Sequence, residues 1–228
     1  MIVAAACIPQ PPLLLPGLTG GPVAEVEELR ARIQQAVTLM IEQAPDEVIV
    51  VGAAQTTGHY PRDAPAPAGR LAPAVDRRPE QTPLPLPLAI GRAALEGHQV
   101  SYVLQGVEDS APPARCHALG AGLARGPGRT ALLVAADGSA RRGEKAPGHL
   151  DPRAPALDDQ VARALDNADT TALRALDPQL CADLLLTGRP AWQVLAGACE
   201  SSSWSTHRLY EAAPFGVAYH VVTWHPMV

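Results

Sequence analysis

The amino-acid sequence predicts an α/β fold, a three-layer α/β/α sandwich around a central mixed, mostly parallel sheet. Two observations carry this reading. Short apolar runs of strand length alternate with segments whose apolar residues recur at three and four positions, and Pro or Gly marks the joins. The first run, the first periodic segment and the second run also fit within the first 52 residues, the layout of a parallel βαβ unit.

Each element follows from its own residues. Ile2–Ile8 is an apolar run stopped by Pro9, Pro11 and Pro12, which suits a buried strand. After Gly20-Gly21-Pro22 the positions Val26, Leu29, Ile33, Val37, Met40 and Ile41 share one helical face. Glu25, Glu27 and Glu28 lie in the first turns, where the helix dipole favours acids. Glu47–Gly52 (EVIVVG) reads as a second buried strand. Positions 61–88 hold eight prolines and no helical period, so this stretch is expected to be a long loop ending in an extended TPLPLPL segment. Leu88–Glu96 then reads as a helix, Gln99–Leu104 as a strand and Ala114–Ala124 as a helix. Thr130–Ala136 is a strand, and Leu157, Val161, Leu165 and Ala168 mark a helix. Two or three further helices cover roughly 170–199, with Gly188-Arg189-Pro190 as punctuation. Ser201–Ser203 reads as a linker, and Gly216–Trp224 as the last strand. No repeat or boundary interrupts the pattern, which predicts one domain over 1–228.

Composition narrows the function classes. Of 228 residues 47% are apolar but only 4% are aromatic, so Ala, Leu and Val must build the core. Few aromatics and a formal net charge of −5 argue against nucleic acid and against an acidic membrane surface. No apolar run approaches the roughly 20 residues of a membrane span. The N-terminal apolar stretch lacks a basic leader and is broken by prolines, so it is not read as a signal peptide. The four cysteines, Cys7, Cys116, Cys181 and Cys199, form no CxxC and suit a reducing, cytoplasmic setting.

In open α/β sheets ligands sit beyond the carboxyl ends of the strands, so the residues after each strand are the ones to inspect. They are Gln10 after the first strand, Gln55, Thr56, Thr57 and His59 after the second, and Asp137, Ser139 and Arg141 after the Thr130–Ala136 run. His59, Asp137 and Ser139 are the candidates for acid–base or nucleophilic chemistry. Gln10, Gln55, Thr56, Thr57, Asp137, Ser139 and Arg141 are expected to line one pocket of neutral or anion-accepting character, with either an Asp137–Arg141 contact or an ordered anion or water. Each also has a plain reading: the glutamines as hydrogen-bonding loop residues, Asp137-Gly138-Ser139 as a turn, and Arg141, Arg142 and Lys145 as a solvated face. His220 and His225, five apart on one strand, point to opposite faces and form no ligand pair. No GxSxG elbow, P-loop or GxGxxG is present.

The opening ACIPQPPLLLPGL resembles the entry of class III extradiol ring-cleavage dioxygenases of the LigB type, which reads P-H-P-P. Gly52-Ala53-Ala54-Gln55 is similar to the family's G-P-S-H, VAADGSARR to its D-L-S-H turn, and APFGVAYHVVTW to its last strand. The chain is also similar to small actinobacterial-looking members that carry DGSARR and EKAPG, here Asp137–Arg142 and Glu144–Gly148. The resemblance implies the α/β fold and an Fe(II) site of two His and one carboxylate, open to a catechol and O₂. Transferred residue by residue, it places Gln10 and Gln55 at the two His ligands and Ala140 at the acid–base His. Pro190-Ala191-Trp192-Gln193 falls at the carboxylate ligand. The expectation is a degenerate member with no metal site and no ring cleavage that keeps a polar pocket for a small molecule. Two alternatives stand beside it. One is an active Fe(II) enzyme with a rebuilt ligand set. The other is a non-catalytic scaffold, homo-oligomeric or paired with another subunit.

Overall fold

The computed structural model describes residues 1–19, 21–67 and 82–227. In chain order the strands are β1 (Ile2–Ile8), β2 (Glu47–Ala54), β3 (Gly58–Tyr60), β4 (Ser101–Glu108), β5 (Thr130–Ala135), β6 (Trp204–Ala212) and β7 (Tyr219–Pro226). The helices are α1 (Ala24–Ile41), α2 (Leu86–Ala94), α3 (Pro113–Ala124), α4 (Ala154–Asp166), α5 (Thr170–Arg174), α6 (Pro178–Asp183) and α7 (Arg189–Cys199), with a 3₁₀ turn at Pro12–Leu14. The sheet runs β3-β4-β2-β5-β1-β7-β6. Its centre, β4-β2-β5-β1, is parallel, and β3, β7 and β6 add antiparallel edges.

Alternation along the strands builds two cores. Ala4, Ala6 and Ile8 of β1, with Val48, Val50, Leu133 and Tyr219, pack under α1 and α2. Ala5 and Cys7, with Ile49, Val51, Leu132, Val134 and Val222, pack under α3 to α7. The architecture is therefore the three-layer sandwich that the sequence predicts. On the second face α3 and α7 cross backbone to backbone. A Cβ on Gly120 would lie 1.9 Å from the Val194 carbonyl oxygen, and one on Gly197 would lie 2.1 Å from that of His117. Glycine is required at both positions because any side chain would push the helices apart.

Several boundaries differ from expectation. β4 extends four residues beyond Leu104, because Gln105–Glu108 keeps pairing with Val51–Ala54 of β2. β7 begins at Tyr219, since Gly216 takes a positive φ of 74° in the turn before it. β3 and β6 were not expected. β3 is three residues long, and β6 is polar along its outer edge, so neither leaves an apolar run to read. TPLPLPL is not extended throughout: α2 starts at Leu86, with Pro87 in the first turn, where its missing N–H has no helical partner to lose. Positions 68–81 of the Pro-rich stretch lie outside the described residues. Among those described, no helix is long and apolar enough to cross a membrane.

Candidate functional site

The carboxyl ends of β1, β2 and β4 open onto one cleft of about 380 Å³. Its polar lining is Gln10, Gln55, Tyr60, Thr82, Asp109 and Thr187; Ala53, Ala54 and residues 83–87 add apolar surface. Gln10 and Gln55, of the seven residues expected in one pocket, both line this cleft. Gln10 is 7% exposed. Its Nε2 donates to Thr187 Oγ1 at 3.0 Å, while its Oε1 is buried with no partner. Gln55 is exposed on the opposite wall. Tyr60 Oη donates to the Thr56 carbonyl at 3.1 Å, which fixes the ring across the end of β2.

Asp137 stands immediately behind this wall. Its Oδ1 accepts the Gln10 backbone N–H at 2.7 Å. Desolvation pushes its carboxyl up to about 7, and the Gln10 N–H pulls only part of the way back. Asp109 at the end of β4 is also raised by desolvation, against the opposing pull of the Arg189 guanidinium.

The remaining expected pocket residues are elsewhere. Thr56 and Thr57 serve the β2–β3 turn: Thr57 Oγ1 accepts Glu108 N–H at 2.9 Å. His59 is exposed on β3 and alternates with Tyr60, so it faces away from the cleft. Ser139 is fully buried outside the cleft lining, where its N–H and Oγ donate to Asp158 of α4 at 2.8 and 2.6 Å. A serine held by a carboxylate in this way is not an exposed nucleophile. Arg141 makes no contact with Asp137, and its Nε is buried without a partner. Arg142 takes the ionic role instead, 3.5 Å from Asp158. The cleft is therefore not anion-accepting on its described wall: Asp109 is its charged group there.

Tyr60, Asp109, Thr187 and Asp158 were missed from sequence. Asp109 was hidden by placing the end of β4 too early, and Tyr60 by not seeing β3. Asp158 gave no signal, as it reads as a polar residue of an amphipathic helix. His220 is buried with its Nε2 unpartnered, edge-on to Trp192 at a ring separation of 6.2 Å. Desolvation holds it down to about 4, so it is neutral at neutral pH.

The Fe(II) site implied by the resemblance requires two imidazoles and a carboxylate. The described cleft offers two carboxamides, one of them already bonded to Thr187, and one carboxylate. No group of three His, Cys, Asp or Glu able to hold a metal occurs among the described residues. The group does not fit.

No protein-family model matches the chain, and no curated protein matches it. Solved structures do. One is an uncharacterized Escherichia coli protein, JW3007, with a TM-score of 0.59 and 15% identity, covering 98% of this chain and 99% of that one. At that identity the likeness shows a shared fold over nearly the whole length of both chains.

Proposed function

We propose that this protein is an extradiol-dioxygenase-like member of the LigB-type fold that has lost its Fe(II) site and ring-cleaving activity. In this reading it works in the cytoplasm and uses the strand-end cleft to hold a polar small molecule. The observation that carries it is the meeting of Gln10 and Gln55 in one cleft, at the two places where the resemblance puts metal-binding histidines. A carboxamide oxygen is a weak ligand for a metal that favours imidazole, but it is a good hydrogen-bond acceptor. The buried Oε1 of Gln10, left without a partner, suits an O–H or N–H of a bound molecule.

The test is metal content together with turnover. Protein purified without chelator is expected to hold far less than one iron per chain, and to take up no O₂ with catechol after Fe(II) is added. One tightly held iron per chain with catechol-dependent O₂ uptake would overturn the reading in favour of an enzyme with rebuilt ligands.

A further inference from the structure

A second pocket of about 240 Å³ lies beside the cleft, at the start of α7, and shares Asp109 and Thr187 with it. Its walls are mainly apolar, from Pro178, Ala182, Leu185, Leu186 and Pro190, and Arg189 lies among them. We propose that this pocket binds a small carboxylic acid with an apolar body, its carboxylate held by Arg189. The proposal does not rest on the loss of the iron site.

Arg189 is an unusual charged residue. It is only 4% exposed, yet its guanidinium is held by neutral acceptors: the carbonyls of Asp109 at 2.6 Å and Ala111 at 2.9 Å, and Gln193 Oε1 at 2.8 Å. Gln193 is itself fixed, donating to the carbonyls of Arg174 and Leu176, both at 3.1 Å. Among the described residues the ion-paired arginines are Arg30, Arg142, Arg153 and Arg208, and all are more exposed than Arg189. A buried cation that forms no direct ion pair is costly, and an anion that reaches it recovers part of that cost. The three bonds use part of a guanidinium that has five N–H donors in a fixed fork.

The acidic groups around the pocket, Asp109 on its wall and Asp177 and Asp158 near Cys181, make no ion pair with Arg189. Asp109 feels Arg189 across a short distance but forms no ion pair with it, and it lies towards solvent. Cys181, also on the wall, is pushed up to about 12 by burial, so its thiol stays neutral and does not compete. Leu185 supplies an independent sign of use. It ends α6 in a left-handed conformation, φ 53°, a place that glycine ordinarily takes, and it is 40% exposed. A strained, exposed leucine at the rim of an apolar pocket is suited to cover a ligand's body.

The experiment compares hexanoate with uncharged hexanamide on the full chain, by calorimetric titration and thermal shift. Hexanoate is expected to bind and raise Tm, with hexanamide weaker by about tenfold or more, since only the acid makes charge-assisted bonds. Arg189→Met should abolish the preference for the acid. Because that buried variant is at risk of not folding, Ala182→Trp gives the independent check. Ala182 is exposed on α6 and lines the pocket, so an indole there is expected to occupy the ligand's space. It should leave the unliganded Tm nearly unchanged and remove hexanoate binding. Equal binding of acid and amide, no binding of either at millimolar concentration, or hexanoate binding that survives Ala182→Trp would overturn the proposal. None of these outcomes bears on iron content, so the two readings fail separately.

Discussion

Asp137 and Ser139 are two residues apart in the loop after β5, yet the chain places them in opposite situations. On the α4 side, Ser139 gives both its N–H and its hydroxyl to Asp158, which Arg142 approaches from outside. On the cleft side, Asp137 receives a single backbone N–H from Gln10, and the Gln10 side chain keeps a bare oxygen. Both carboxyls are raised by desolvation, but only one is closed in by partners. A buried polar group with its bonds filled holds a fold together, whereas one with bonds to spare is available to something else. The sealed side is where stability should be lost on mutation, and the open side is where a ligand should be felt.

The largest expected effect is therefore at Asp158. Asp158→Ala leaves the buried N–H and hydroxyl of Ser139 without acceptors and should cost about 3 kcal/mol, the loss of two bonds to a charged group less some relaxation. Asp158→Asn keeps an acceptor oxygen and should cost about half as much. Urea unfolding with an unchanged m-value measures both. A loss of under 0.5 kcal/mol for Asp158→Ala would remove the distinction between the two sides.

His220 comes next; it is buried beside Trp192, with its Nε2 unpartnered. Its pKa in the folded chain is depressed from 6.5 to about 4, so the unfolded chain binds the proton more readily between those values. The stability it contributes is present above pH 6.5 and is lost as pH falls through 4, on the order of 3 kcal/mol when complete. His220→Phe replaces the ring by one of similar shape that cannot take a proton. The variant is expected to unfold less steeply with acid over this window, and a profile parallel to the wild type would show that His220 does not titrate as its surroundings imply.

The same contrast explains how much could be read in advance. The buried strands β1, β2 and β5 are near-continuous apolar runs, and the helices facing them are periodic, so the layers were legible. β3 and β6 lie at the edges, where one side faces water and the pattern thins. That Gln10 and Gln55 line one cleft was suggested by their places just beyond two buried strands. The place of Ser139 was not, because it depends on Asp158, a helix residue nineteen positions on. Arg189 was read only as part of a turn. Its importance lies in which carbonyls surround it, and those belong to Asp109 and Ala111 far away in sequence.

The smallest expected effect is on the open side and has the opposite sign to that of His220. Asp137 has a folded-state pKa raised from 3.8 to about 7, so between these values the folded chain holds the proton that the unfolded chain has released. The stability that its protonated form provides is fully present below pH 3.8 and is lost as pH rises through 7. Asp137→Asn keeps an oxygen for the Gln10 N–H but never ionises. The variant should thus match the wild type near pH 4 and become more stable than it above pH 7. With Asp137 partly open to solvent the difference is expected to be about 1 kcal/mol, well short of what full burial would give. Denaturation midpoints at pH 4, 5.5 and 7.5 decide it. A variant less stable than the wild type at pH 7.5 would mean that Asp137 is ionised and well satisfied in the folded protein, and the cleft wall would then be as closed as the Asp158 side.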